Sequence, residues 1–174
     1  MNKKKLKILG VILAFILCFP LHFLYDLMPN FITSIFLPVN ESIWEHMKIL
    51  FGSIILSGVI QKIIVISKRL EFNNICFSNF VGAISSIPIF LIIFLPIYYN
   101  FGHNLVITII IIMFITIVIS EYIAYKVMMM SDLYQENKTI LYVVIVYIIF
   151  TIFTYFPINN NLFIDPITGI LGIK

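Results

Sequence analysis

The chain has 174 residues, 61% of them hydrophobic and 11% charged, with a formal net charge of +3 and a mean hydropathy of +1.10. Soluble domains carry about 25% charged residues, so this composition excludes a water-soluble fold and specifies a polytopic membrane protein whose first partner is the lipid bilayer. The positive charge is membrane topology and not a nucleic-acid surface, because the basic residues sit in short loops with no basic face interleaved with aromatics.

The Ile-rich runs are too long for strands, which usually span about 4–8 residues. They do not alternate as barrel strands must. The expected fold class is all-α: one helical bundle over 1–174, with about five transmembrane helices, short loops and no internal repeat.

The first span is expected over 8–28, preceded by Lys3, Lys4, Lys5 and Lys7. No small-x-small cleavage site follows it, so it reads as an uncleaved helix. Pro20 lies inside it and should kink it. His22 and Asp26 follow at i, i+4 spacing and share a face. A connector with Pro29, Asn30 and Pro38 leads to the second span, 41–67, which opens on Asn40-Glu41-Ser42-Ile43-Trp44-Glu45-His46-Met47-Lys48. Further spans are expected over 75–99, with Pro88 and Pro96 as bends, over 104–128 after a tight turn at Asn100–His103, and over 139–156. Each is close to the ~20 residues that cross a ~30 Å hydrocarbon core. The tail, 157–174, carries Asp165-Pro166-Ile167-Thr168-Gly169, a β-turn signature. Its flanking apolar residues are expected to fold it back over the bundle end. Cys18 and Cys76 fall at different depths, which argues against a disulfide, and no metal-type cysteine spacing exists.

The positive-inside rule orients the chain. With the N-terminus in the cytoplasm, nine of the eleven basic residues (Lys3, Lys4, Lys5, Lys7, Lys62, Lys68, Arg69, Lys126 and Lys138) lie inside or near it. Only Lys48 and Lys174 fall outside, and the tail becomes extracytoplasmic in the cell membrane. His22, His46, His103, Asp26, Glu41, Glu45 and Asp165 then all belong to the outer half.

Four groupings carry chemistry. In the Asn40–Lys48 stretch, Asn40 can cap a helix with Glu41 at its positive end. Ser42-x-x-Glu45 fits a capping box in the alternative register, and Trp44 suits an interfacial aromatic anchor. Capping leaves His46 unexplained. Glu41 and Glu45 are expected to share a face, with His46 about 100° round from Glu45. Second, His22 lies about 9 Å below the outer helix end, deep enough that its polarity needs a partner or a cavity. It reads either as a satisfied core histidine or as a base or metal ligand oriented by Asp26. Third, Lys62 and Glu121 lie at similar depth toward the cytoplasmic side and are expected to form an intramembrane charge pair. Fourth, Asp165 anchors the tail turn. Together His22, Asp26, Asn40, Glu41, Glu45, His46 and Asp165 form a candidate outer polar pocket, with His22 expected within reach of Glu41, Glu45 or His46. A divalent metal there would need at least three donors converging at about 2.0–2.2 Å.

Leu21-His22-Phe23-Leu24-Tyr25, the Pro38–Lys48 run with its Asn-Glu-Ser-Ile-Trp-Glu-His core, and the tail Leu162–Gly172 with Asp165-Pro166-Ile167-Thr168-Gly169 resemble a family of small bacterial integral membrane proteins known only as a domain of unknown function. The resemblance covers nearly the whole chain, implies the membrane class, and implies no activity.

Three functions remain open at this point. The first is an integral membrane protein that binds a small ligand, a lipid or a membrane partner in the outer pocket, the reading that base rates favour. The second is a membrane-embedded enzyme, with or without a divalent metal, acting on a lipid-linked or envelope substrate. In it His22 and His46 are ligands or bases and Glu41, Glu45 and Asp26 assist. The third is a small transporter, against which the lack of a repeat argues.

Overall fold

The computed structural model describes residues 1–101, 106–131, 133 and 135–173. Asn100 and Phe101 of the expected tight turn extend α4, while 102–105, with His103 and the first two residues of the expected fourth span, and Lys174 lie outside the described residues. The described chain is an all-α bundle: α1 (Lys3–Leu27), a short α2 (Phe31–Phe36), α3 (Ile43–Ser67), α4 (Ile75–Phe101), α5 (Val106–Met128) and α6 (Thr139–Tyr155). Five helices are long and apolar enough to cross a membrane. The end where α1 begins is here termed proximal, and the end where α1 finishes and α3 begins, distal.

Local chemistry explains the ends. α1 starts five residues before the apolar run, because the Asn2 side chain accepts from Lys5 N at 2.8 Å and caps the lysine turn. α2, unexpected within the connector, is held by a capping box: Asn30 Oδ1 accepts from Thr33 N (3.1 Å), and Thr33 Oγ1 accepts from Asn30 N (3.1 Å). α4 begins under Glu136, whose carboxylate accepts from Cys76 N (2.9 Å) and Phe77 N (3.0 Å), an acid at a positive helix end.

α3 is the centre of the bundle. Of its most apolar stretch 56% is buried, against 17% in α1. It packs on α1 and α4, α5 closes the ring against α1 and α4, and α6 lies outside with α2. Ile43, Met47, Leu50, Phe51 and Ile54 form the core with Ala14, Phe90, Ile117 and Phe150.

The tail folds back across the distal end. Trp44 N donates to Leu162 O (2.9 Å), Asn40 Nδ2 to Gly172 O (2.8 Å) and Ile173 N to Thr154 O (3.3 Å). Gly172 has φ +71°, and a Cβ there would meet Thr154 O at 2.9 Å, so no other residue fits this crossing without a shift. Trp44 packs its ring on Phe150, Phe153 and Phe163 and donates to Phe150 O (3.3 Å). It therefore ties α3 to α6 and the tail.

Candidate functional site

The site is built where the chain enters α3. Leu37 ends α2 in extended backbone, and Asn40 Oδ1 accepts from Ser42 N at 2.9 Å, turning the chain. Ser42, not Asn40, is the cap: its hydroxyl accepts from Glu45 N (3.4 Å). The helical register thus begins at Ile43, and Glu41 lies before it. Glu41 and Glu45 therefore do not share a face, which corrects the expectation that placed both within the helix.

Glu45 turns inward. Its Oε2 lies 2.6 Å from Lys48 Nζ and accepts from Val39 N (3.2 Å), while Oε1 accepts from Thr154 Oγ1 (2.7 Å). Lys48, fully buried, also donates to Ser34 O, Leu37 O and Thr154 Oγ1. This is a satisfied buried ion pair that joins α2, α3 and α6, and it removes Glu45 from the pocket. The expected capping box is half formed, because the Glu45 carboxylate serves Lys48 and Val39 and not the Ser42 amide.

Glu41 turns outward, toward α1. Its Oε2 lies 3.3 Å from His22 Nε2 and 3.7 Å from His46 Nε2. One ligand-type atom from each of His22, Glu41 and His46 falls within 4.8 Å of the others. His46 Nδ1 is 2.9 Å from Ser42 O. A carbonyl can only accept, so Nδ1 carries the proton, and in the neutral ring Nε2 presents its lone pair to Glu41. The neighbouring His22 imidazole holds the Glu41 carboxyl below the usual carboxylate range, against the opposing effect of burial. His22 Nδ1 is buried with no hydrogen-bond partner among the described residues.

The other expected pocket residues do different work. Asp26 is exposed and makes no hydrogen bond to a described residue, so it does not orient His22. Asn40 pins the tail. Asp165 is spent on its own turn, its carboxylate accepting from Ile167 N (2.8 Å) and Thr168 Oγ1 (2.8 Å). Among the described residues, the polar group that converges is thus His22, Glu41 and His46. It sits at the rim of a cavity of about 270 Å³ between α1 and α5. Phe15, Phe19, Phe23, Ile109, Ile110 and Met113 supply apolar walls, and among the described residues the three donors are its only charged or titratable side chains apart from Cys18.

The expected Lys62–Glu121 pair is not formed. Glu121 Oε2 lies 3.1 Å from Lys7 Nζ, both nearly fully buried, and Lys7 also donates to Asn79 Oδ1 (2.6 Å). Gln61, one residue before Lys62, donates to Glu121 Oε1 at 3.3 Å. A step of about 100° per residue turns Lys62 out of the bundle to Glu136 Oε1, 3.4 Å away. Gly10 makes room for this network, since a Cβ there would run into Gln61 Nε2 and Glu121 Oε1. Depth along the helices suggested Lys62. Lys7 was hidden because it reads as one of a run of flanking lysines.

A family model described as "Family of unknown function (DUF6512)" matches residues 1–173. No curated protein and no solved structure matches the chain.

Proposed function

The chain belongs to this family of unknown function, and since membership assigns no activity, we propose from the site alone that it is a cell-membrane protein binding a small amphiphilic ligand at its outward end. The N-terminus lies in the cytoplasm, as the distribution of lysines requires, and the distal end with its folded-back tail faces outward. Lys48, one of the two basic residues on the wrong side of that rule, is paired with Glu45 inside the bundle and is no obstacle to it.

One observation carries the reading: an apolar cavity between α1 and α5 has three converging titratable groups at one rim and almost no other polarity among the described residues. Ligand sites are commonly mostly apolar with a few placed polar groups that fix orientation. At about 270 Å³ the space suits one hydrocarbon chain segment, its polar head at His22, Glu41 and His46. Native mass spectrometry of the protein released from mild detergent tests this. A retained single-chain lipid is expected, and Ile110→Trp, which fills the cavity, should release it. Retention of the same species by Ile110→Trp would count against the cavity.

A second reading is favoured by the same three groups. Two imidazoles and a carboxylate beside a lipid-sized cavity are the equipment of a membrane-embedded enzyme acting on a lipid-linked substrate. Turnover of the retained lipid by the wild type, and its accumulation in His46→Gln, would favour the enzyme over the binding protein.

A further inference from the structure

The distances around Glu41 are unusual for hydrogen bonds. Good N–H···O contacts fall at 2.7–3.2 Å, whereas Glu41 Oε2 is 3.3 Å from one imidazole nitrogen and 3.7 Å from the other. Four-coordinate zinc with bonds of about 2.0–2.2 Å places its ligand atoms about 3.3–3.6 Å apart. The two separations bracket that edge length.

Chemistry points the same way. With Nδ1–H of His46 committed to the Ser42 carbonyl, a lone pair on Nε2 faces a carboxylate oxygen. Two acceptors face each other, and a cation between them satisfies both. A metal-bound histidine that donates its other N–H to a backbone carbonyl is the arrangement that fixes tautomer and ring orientation at such centres. The supporting elements are rigid: His46 is in the first turn of α3, Glu41 is held between Asn40 and the Ser42 cap, and His22 is on α1. His22 and Glu41 are partly exposed, at 27% and 36%, which leaves the centre reachable from outside. Two imidazoles disfavour Ca²⁺ and Mg²⁺, and a His₂-carboxylate set suits Zn²⁺ or Fe²⁺.

We propose that His22, Glu41 and His46 form a divalent transition-metal site at the distal end of α1 and α3. Three protein ligands leave a further position for water or for an anionic head group. A dication with one carboxylate and two neutral imidazoles has a net charge of about +1, which favours an anionic head over a neutral one. The proposal shares the pocket of the preceding reading but does not need its lipid.

Full-length protein in detergent, stripped with chelator, is titrated with Zn²⁺ and separately with Co²⁺. One equivalent should bind, and the Co²⁺ form should show the intense visible bands of a four-coordinate site. His22→Gln, Glu41→Gln and His46→Gln should each weaken binding at least tenfold, while Asp26→Asn should leave it unchanged. Size-exclusion profile and melting temperature establish that each variant is folded. Should a variant not fold, the Co²⁺ spectrum of the wild type still decides between four-coordinate imidazole ligation and surface ions. No stoichiometric binding, or binding that survives Glu41→Gln and His46→Gln together, overturns the site. Zn²⁺ bound with no retained lipid leaves the metal site standing and removes the amphiphile. Lipid retained by protein that binds no metal does the reverse.

Discussion

Lys48 Nζ lies 2.6 Å from Glu45 Oε2 with neither side chain open to solvent. The pair is one helical turn long, yet it ties three helices together, since Lys48 also reaches α2 carbonyls and both residues reach Thr154. Removing one partner of a buried pair leaves an uncompensated charge and costs about 3–5 kcal/mol. Lys48→Met should therefore lower the melting temperature in detergent sharply. Adding Glu45→Leu should recover part of the loss. If Lys48→Met melts with the wild type, the pair contributes nothing to holding α2 and α6.

Glu121 provides a second coupled pair, with Lys7. In a double-mutant cycle of Glu121→Gln and Lys7→Met, the combined loss should be smaller than the sum by about 0.5–3 kcal/mol. Lys62→Met with Glu121→Gln should add, because Lys62 is bound to Glu136. Coupling to Lys62 and none to Lys7 would require a different rotation of α3.

Acid should weaken the distal site through Glu41. Its carboxyl is held below the usual range by His22, so the folded state prefers the charged form more than the unfolded chain does. That contribution is complete above the ordinary carboxylate value of about 4.3 and disappears as pH falls through the lower folded value. In chelator, the wild type should melt above Glu41→Gln at pH 6, and the two curves should converge in acid. A gap that persists below the carboxylate range would assign the stabilisation elsewhere.

Topology has a direct check. In a background without Cys18 and Cys76, cysteine at position 160, in the tail, should react with an impermeant thiol reagent on intact cells. Cysteine at position 73, between α3 and α4, should react only after lysis. The reversed pattern would place the His22–Glu41–His46 group in the cytoplasm.

Composition and run length by themselves determined the bundle. Five stretches of about spanning length, separated by short polar loops, leave helices as the only way to satisfy backbone groups in hydrocarbon. The same reading marked the Asn40–Lys48 stretch, because it gathers many polar groups into nine residues and capping leaves His46 unexplained. It also put His22 within reach of Glu41, Glu45 or His46, since a short connector joins the end of one helix to the start of the next. The facing of each group was decided only by tertiary structure. The α3 register begins at Ser42 and not Asn40 because the Asn40 side-chain oxygen accepts from Ser42 N, leaving the Ser42 hydroxyl to cap Glu45 N. In that register Glu45 meets Lys48 and Glu41 meets the histidines. Lys7 displaced Lys62 for a related reason: α3 is apolar nearly all round, so no hydrophobic stripe marks its inward face. In water an amphipathic helix announces its buried side. In a membrane, lipid and protein core are equally apolar, and only the few polar contacts between helices set the rotation.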